Sequence, residues 1–166
     1  MVVAVECVVS CVLFGTFIIL SVLKNQTVWI NEYPEPVQKR YIELHPNSKI
    51  KEPEGLSPRV ILKKLIACLF FLILLVGMVY FAGAKTFMQG TLYCYCIWFV
   101  VNVFDTFVID LGIMVHWKKC RLPGTEDMDK EYKLLAKKSL IDGLYGCIIG
   151  IPIALLTGLI IFLICK

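Results

Sequence analysis

The stretch LIDGLYGCIIGIPIALLTGLIIFLI, residues 140–164, decides the fold of this chain. Its one charged residue is Asp142, and it is longer than the about 20 apolar residues that a helix needs to cross the hydrocarbon core of a bilayer. Stretches of the same character lie at about residues 2–23, 60–83 and 91–115. The sequence therefore predicts an all-α integral membrane protein with four transmembrane helices.

The composition agrees with this prediction. The chain of 166 residues is 58% hydrophobic and 18% charged, whereas soluble domains are about 45–50% apolar and about 25% charged. We expect one membrane domain covering residues 1–166, with long loops at residues 24–59 and 116–139. The net charge of +4 is modest and no nucleic-acid-binding pattern is present, so the expected partner is the lipid bilayer and not a nucleic acid.

The basic residues predict an orientation. Of the 17 Lys and Arg residues, all but Lys85 and Lys166 lie in the two long loops or at the adjoining start of the second apolar stretch. Lys and Arg accumulate on the cytoplasmic side of membrane proteins. We therefore expect a multi-pass protein of the cell membrane with both long loops in the cytoplasm and both termini outside.

Each long loop is predicted to hold a short amphipathic helix on the cytoplasmic membrane surface. Pro36 suits the first turn of one, and Thr125 is expected to cap the other after a Pro-Gly turn. Ser57 is expected to cap the second transmembrane helix. The apolar stripes of the two surface helices are Val37, Tyr41 and Leu44, and Met128, Tyr132 and Leu135.

Ionisable groups inside membrane helices are costly and are candidates for function. At 100° per residue, Asn102 and Asp105 share a face of the third helix, and His116 returns to within about 20° of Asp105. Asp110 points about 140° away from Asp105. With Asp142 at a similar depth to Asp110, these residues predict a cytoplasm-facing polar pocket that binds a cation, moves protons or holds a polar headgroup.

Each of these residues also has a structural interpretation. Asn102 and Asp105 could hydrogen bond across helices and hold the bundle together. Ser139 and Asp142 match the capping pattern at the start of a helix. His116, next to Trp117 and a basic cluster, is typical of a membrane interface.

The fourth helix carries small residues at intervals of four: Gly146, Gly150, Ala154 and Gly158. Such a face lets two helices approach closely. The partner helix could belong to the same chain, to a second copy in a homo-oligomer, or to another membrane subunit.

The positions of the cysteines favour a role in packing over a role in redox or metal chemistry. Seven of the eight lie in or beside apolar segments, where cysteine behaves as a small hydrophobe, and no CxxC occurs. Cys94 and Cys96, near the ends that hold Cys7, Cys11 and Cys165, leave a thiol–disulfide relay open. No HExxH or comparable set is present. We expect no cofactor, no metal and no catalytic residue; the alternative is an intramembrane enzyme working on lipid headgroups or thiols.

Three segments carry a resemblance: INEYPEPVQKR (30–40), FDTFVIDLGIMVHWKK (104–119) and LPGTEDM (122–128). Together they resemble small, uncharacterised four-helix integral membrane proteins of bacteria, especially Firmicutes. The resemblance implies the four-helix topology and a place in the bacterial inner membrane, and it implies no activity. The function predicted from the residues is therefore a small binding, transport or accessory module.

Overall fold

A computed structural model describes residues 2–46 and 58–166 of the chain, and every regular element in that part is helical. The α-helices are α1 (Val2–Lys24), α2 (Glu35–Leu44), α3 (Pro58–Phe81), α4 (Phe87–Phe104) and α5 (Asp129–Ile164). A π-helix, Asp105–Met114, continues α4 directly, and short 3₁₀ helices cover Ile30–Glu32 and Lys118–Cys120. The predicted cap Ser57 lies outside the described residues.

The described residues contain four helices that are long and apolar enough to cross a membrane: Val2–Lys24, Ile61–Phe81, Phe87–Met114 and Asp129–Ile164. Each contains more than the about 20 residues that a span requires. The prediction of an all-α chain with four candidate spans is confirmed.

The second loop differs from the prediction. In place of a surface helix and a separate span, α5 runs without interruption for 36 residues. No Gly or Pro occurs between Asp129 and Asp142 to end a helix there. Ser139 therefore lies inside α5, and the prediction that it caps a helix is wrong. Thr125 is no cap either, because α5 begins at Asp129 and the Thr125 hydroxyl donates to the Leu122 carbonyl oxygen at 2.8 Å.

In the first loop, the predicted helix is present as α2, and Pro36 lies in its first turn. Val37 and Tyr41 are buried, while Leu44 is 47% exposed. The two buried residues pack in an apolar cluster with residues of α1, of the π-helix and of the second loop. The apolar face of α2 thus covers protein.

Two compact units divide the described residues. The first unit contains residues 2–8, 58–99 and 147–166, and the second contains residues 9–46 and 100–146. The core of the first unit consists of Cys7, Val79, Ala84, Cys94, Ile97, Ala154 and Ile161. The core of the second unit consists of Val22, Ile30, Tyr33, Val37, Tyr41, Ile109, Met114, Val115, Cys120, Leu122, Tyr132 and Leu135.

Candidate functional site

A buried hydrogen bond ties the two long loops together in the second unit. The Tyr33 hydroxyl donates to the Cys120 carbonyl oxygen at 2.5 Å, and Tyr33 is only 2% exposed. Burial raises the pKa of Tyr33, and burial also raises the pKa of the Cys120 thiol. Both groups therefore stay protonated near neutral pH, and the Tyr33 hydroxyl remains a donor.

Tyr132 makes further hydrogen bonds within the second loop. Its hydroxyl accepts the Leu122 backbone N–H at 3.0 Å and lies 2.8 Å from the Thr125 hydroxyl. The Tyr132 ring packs edge-on against Tyr33, with ring centres 5.8 Å apart. Of the residues in this network, Tyr33 borders a cavity.

That cavity, here called the carboxylate cavity, has a volume of about 270 Å³ and lies wholly within the second unit. Acidic and aromatic side chains make up most of its wall. Its lining consists of Phe14, Ile18, Trp29, Glu32, Tyr33, Asp105, Asp110, Met114, Leu135, Lys138, Ser139 and Asp142.

The π-helix is the reason that Asp105 and Asp110 line the same cavity. Over Asp105–Met114 the backbone hydrogen bonds span five residues, as in the bond from the Val115 N–H to the Asp110 carbonyl oxygen. Each turn therefore takes up more residues than an α-helical turn, and side chains five apart face the same way. The expected angle of 140° between the two aspartates assumed an α-helix, whereas this segment is a π-helix and both aspartates line one cavity.

The carboxylates of the cavity differ in what they contact. Asp110 accepts a hydrogen bond from the buried Ser139 hydroxyl. Glu32 pairs with Lys138 at 2.7 Å between Oε2 and Nζ. Asp105 is partly buried, and in the part of the chain that the structure describes no side chain or backbone group donates a hydrogen bond to its carboxylate.

The aromatic residues contribute ring surfaces to the cavity. The Trp29 indole N–H donates to the Ser21 hydroxyl at 2.9 Å, and the Tyr33 hydroxyl is engaged with Cys120. Neither Ser21 nor Cys120 lines the cavity. Because the polar ends of both side chains are occupied elsewhere, these residues contribute ring surface to the cavity wall, and Tyr33, at 2% exposure, contributes little of it.

Two predicted pocket residues do not line the carboxylate cavity. The Asn102 side-chain amide donates to the Gly143 carbonyl oxygen at 2.8 Å, so it joins the third and fourth spans. His116 is exposed and borders a different cavity. Its Nδ1 lies 2.9 Å from the Leu111 carbonyl oxygen, which can only accept, so Nδ1 carries a proton.

The small residues of α5 pack against another helix of the same chain, and this is so within each of the two units. In the second unit, a Cβ on Gly143 or Gly146 would overlap the side chains of Thr106 and Asn102. In the first unit, Gly150 abuts the Trp98 indole, Gly158 abuts α4 at Gly90 and Thr91, and Ala154 is buried in the core. The contact partner of this face is therefore the third candidate span.

Nine of the twelve lining residues were absent from the predicted pocket, and the polar and aromatic ones from the predicted loops include Trp29, Glu32, Tyr33 and Lys138. All four belong to segments predicted as surface loop. The one local signal is that aromatic and acidic residues follow the first span closely, in a loop that also carries the resemblance described above. They lie around the same cavity as Asp105 only because of how the loops pack, and no local sequence pattern predicts that packing.

The described residues offer little for metal or thiol chemistry in this arrangement. No three His, Cys, Asp or Glu side chains among them are placed to hold a metal ion together. All eight cysteines are free thiols, of which Cys7, Cys11, Cys94 and Cys120 are buried. The thiol–disulfide relay stays a prediction. A search against family models, curated proteins and solved structures finds no match for this chain.

Proposed function

We propose that this chain is a multi-pass membrane protein that binds a small organic cation in the carboxylate cavity, as a binding or transport module. The observation that carries the proposal is the Asp105 carboxylate, which lines a cavity of about 270 Å³ without a donor from the described residues. A carboxylate removed from water is costly unless a cation, a proton or a hydrogen bond offsets its charge. A bound cation would supply that partner.

The rest of the cavity wall suits an organic cation. Aromatic rings attract ammonium groups and recognise quaternary ammonium ligands in many proteins, and Phe14, Trp29 and Tyr33 place three such rings in the wall. Asp110 and Asp142 add negative charge, while Lys138 is already paired with Glu32. Because the described carboxylates do not converge as a metal-binding set, a cation larger than a metal ion fits this wall better.

Membrane insertion is part of the proposal. Large apolar side chains lie exposed along all four long helices, among them Leu13, Phe71, Phe107 and Leu144. Exposed apolar surface of this extent marks contact with lipid or with a partner. The distribution of Lys and Arg favours an orientation with both long loops in the cytoplasm and both termini outside, and in that orientation ligand would enter the carboxylate cavity from the cytoplasm.

The test is a binding measurement on the protein purified in an uncharged detergent. Tetramethylammonium and propylammonium are titrated by calorimetry, with sodium and potassium at the same ionic strength as comparisons. We expect saturable binding of one of the organic cations, at least about tenfold tighter than binding of sodium. The Trp29→Phe variant should weaken binding by removing the largest ring.

Charge variants locate the site. Asp105→Asn should lower the affinity at least about tenfold, which is about 1.4 kcal/mol. The matched control is Asp127→Asn, because Asp127 is exposed and does not line the cavity. Equal affinity of the Asp105→Asn variant and the unmodified protein, or no binding of any organic cation, would exclude the proposal. Uptake of the same cation into proteoliposomes then separates transport from binding alone.

A further inference from the structure

A second cavity of about 270 Å³ lies in the second unit, lined by residues that follow the π-helix and by the first turns of α5. Three basic side chains and one carboxylate face it, so its wall carries an excess of positive charge. We call it the basic cavity; its lining is Val115, His116, Lys118, Arg121, Asp129 and Lys133.

Arg121 is the buried element of this wall, at 4% exposure. Its Nη1 donates to the Glu126 carbonyl oxygen at 2.7 Å and to Asp129 Oδ1 at 2.5 Å, and its Nη2 donates to the Val115 carbonyl oxygen at 3.1 Å. The guanidinium also lies 4.6 Å above the Tyr132 ring. The side chain is thus held rigidly, and its position does not depend on a ligand.

The Nε of Arg121 is buried and has no hydrogen-bond partner among residues 2–46 and 58–166. A buried N–H without an acceptor is unfavourable, more so when the group is charged. Nη2 bears a second N–H beyond the one given to Val115. The guanidinium therefore keeps donor capacity that the described residues do not use, and this group matches phosphate oxygens better than an ammonium does.

We propose that the basic cavity binds a phosphate group, either that of an anionic lipid headgroup or free inorganic phosphate. The Arg121 guanidinium donates to the phosphate from the buried side of the wall, and Lys118 and Lys133 supply further positive charge. Asp129 pairs with Arg121 and also attracts Lys118 and Lys133, but one carboxylate among three basic side chains leaves the wall with a net positive charge. The site is separate from the carboxylate cavity and shares no lining residue with it, so either proposal can fail alone.

A lipid headgroup could reach the site if the chain spans a bilayer. Val115 directly follows the last residue of the third candidate span, Phe87–Met114. Residues just beyond a span lie at the depth of the headgroups. Trp117, 39% exposed, has the character of residues at that depth.

The experiment has two arms. In the first, inorganic phosphate is titrated calorimetrically into the protein in an uncharged detergent, against chloride at equal ionic strength. In the second, nanodiscs with equal parts of phosphatidylcholine and phosphatidylglycerol are analysed by native mass spectrometry for retained lipid. Saturable phosphate binding in the first arm assigns free phosphate. Selective retention of phosphatidylglycerol without such binding assigns the lipid.

Lysine variants test the location in both arms. Lys118→Gln and Lys133→Gln should each weaken binding about fivefold, as expected for one basic group acting on an anion at a membrane surface. The controls are Lys130→Gln and Lys137→Gln, which change exposed lysines outside the cavity wall. Equal losses in the cavity and control variants, or no binding in either arm, overturn the proposal.

Arg121→Lys tests the guanidinium itself, because lysine keeps the charge and lacks the planar array of donors. We expect a larger loss of binding than for either lysine variant, with circular dichroism used to check that the protein stays folded. If this variant does not fold, the lysine variants and their controls decide the question without it.

Discussion

Each of the two compact units of this protein is stabilised internally by a different kind of contact. The core of the first unit is apolar and small, built around Cys94, Ala154 and their neighbours. The second unit buries Arg121, Thr125 and Ser139 together with two tyrosines whose hydroxyls are hydrogen-bonded. The first unit therefore depends mainly on the close packing of helices, and the second also on buried hydrogen bonds. In lipid, apolar residues gain little by leaving the solvent, so helices are held together by van der Waals packing and by hydrogen bonds between helices.

The largest effect should come from the closest helix contact of the first unit. A Cβ on Gly158 would lie 2.7 Å from the Phe87 carbonyl oxygen and would also overlap the Thr91 side chain. Because backbone has to move, we expect Gly158→Ala to lower the free energy of unfolding by about 2 to 3 kcal/mol. Reversible unfolding in mixed detergent micelles, followed by circular dichroism, measures the change.

The control for that variant is Gly77→Ala in α3, where an added Cβ has no heavy atom within 4 Å. This change should leave stability unchanged or raise it slightly, since alanine favours the helix. Comparable losses in both variants would mean that the first unit does not depend on close packing at Gly158.

An intermediate effect is expected from the polar network of the second unit. Tyr132→Phe removes the acceptor of the Leu122 N–H and the partner of the Thr125 hydroxyl, leaving buried groups unsatisfied. We expect a loss of about 1 to 2 kcal/mol in the free energy of unfolding. Tyr145→Phe is the matched control, because Tyr145 is 62% exposed. If both variants unfold alike, hydrogen bonding does not distinguish the second unit.

The smallest effect should come from the ion pair at the rim of the carboxylate cavity. The Glu32 and Lys138 side chains remain largely exposed, at 59% and 40%. Exposed ion pairs contribute little, so a double-mutant cycle with Glu32→Gln and Lys138→Gln should give a coupling energy of about 0.5 kcal/mol or less. A coupling energy several times larger would show that this ion pair stabilises the second unit as much as the buried hydrogen bonds of Tyr132 do.

What could be predicted from the sequence is set by properties that repeat along the chain. Apolar length identified four candidate spans, and the interval of four residues identified the small face of α5. The loop contacts have no such regularity. Tyr33 and Cys120 are 87 positions apart, and nothing near either residue indicates the other.

The aspartates of the third span show a second limit. Their predicted directions followed from an α-helical turn, and the sequence carries no mark that Asp105–Met114 adopts a wider one. The prediction that Ser139 caps a helix was wrong for a related reason, because the capping pattern is present in the sequence but lies within a longer helix. In both cases a correct local rule was applied to the wrong backbone.

The π-helix also changes how evolutionary relatives of this chain should be sought. On an ordinary α-helix, two side chains four residues apart lie on the same face. On this π-helical segment, two side chains five residues apart do so. A relative with one residue fewer between its two aspartates could therefore display the same pair from a regular helix. The alignment that joins it to this chain would carry a single-residue gap inside a candidate span, and alignments ordinarily penalise a gap inside a helix. A pattern that permits either spacing would recover both.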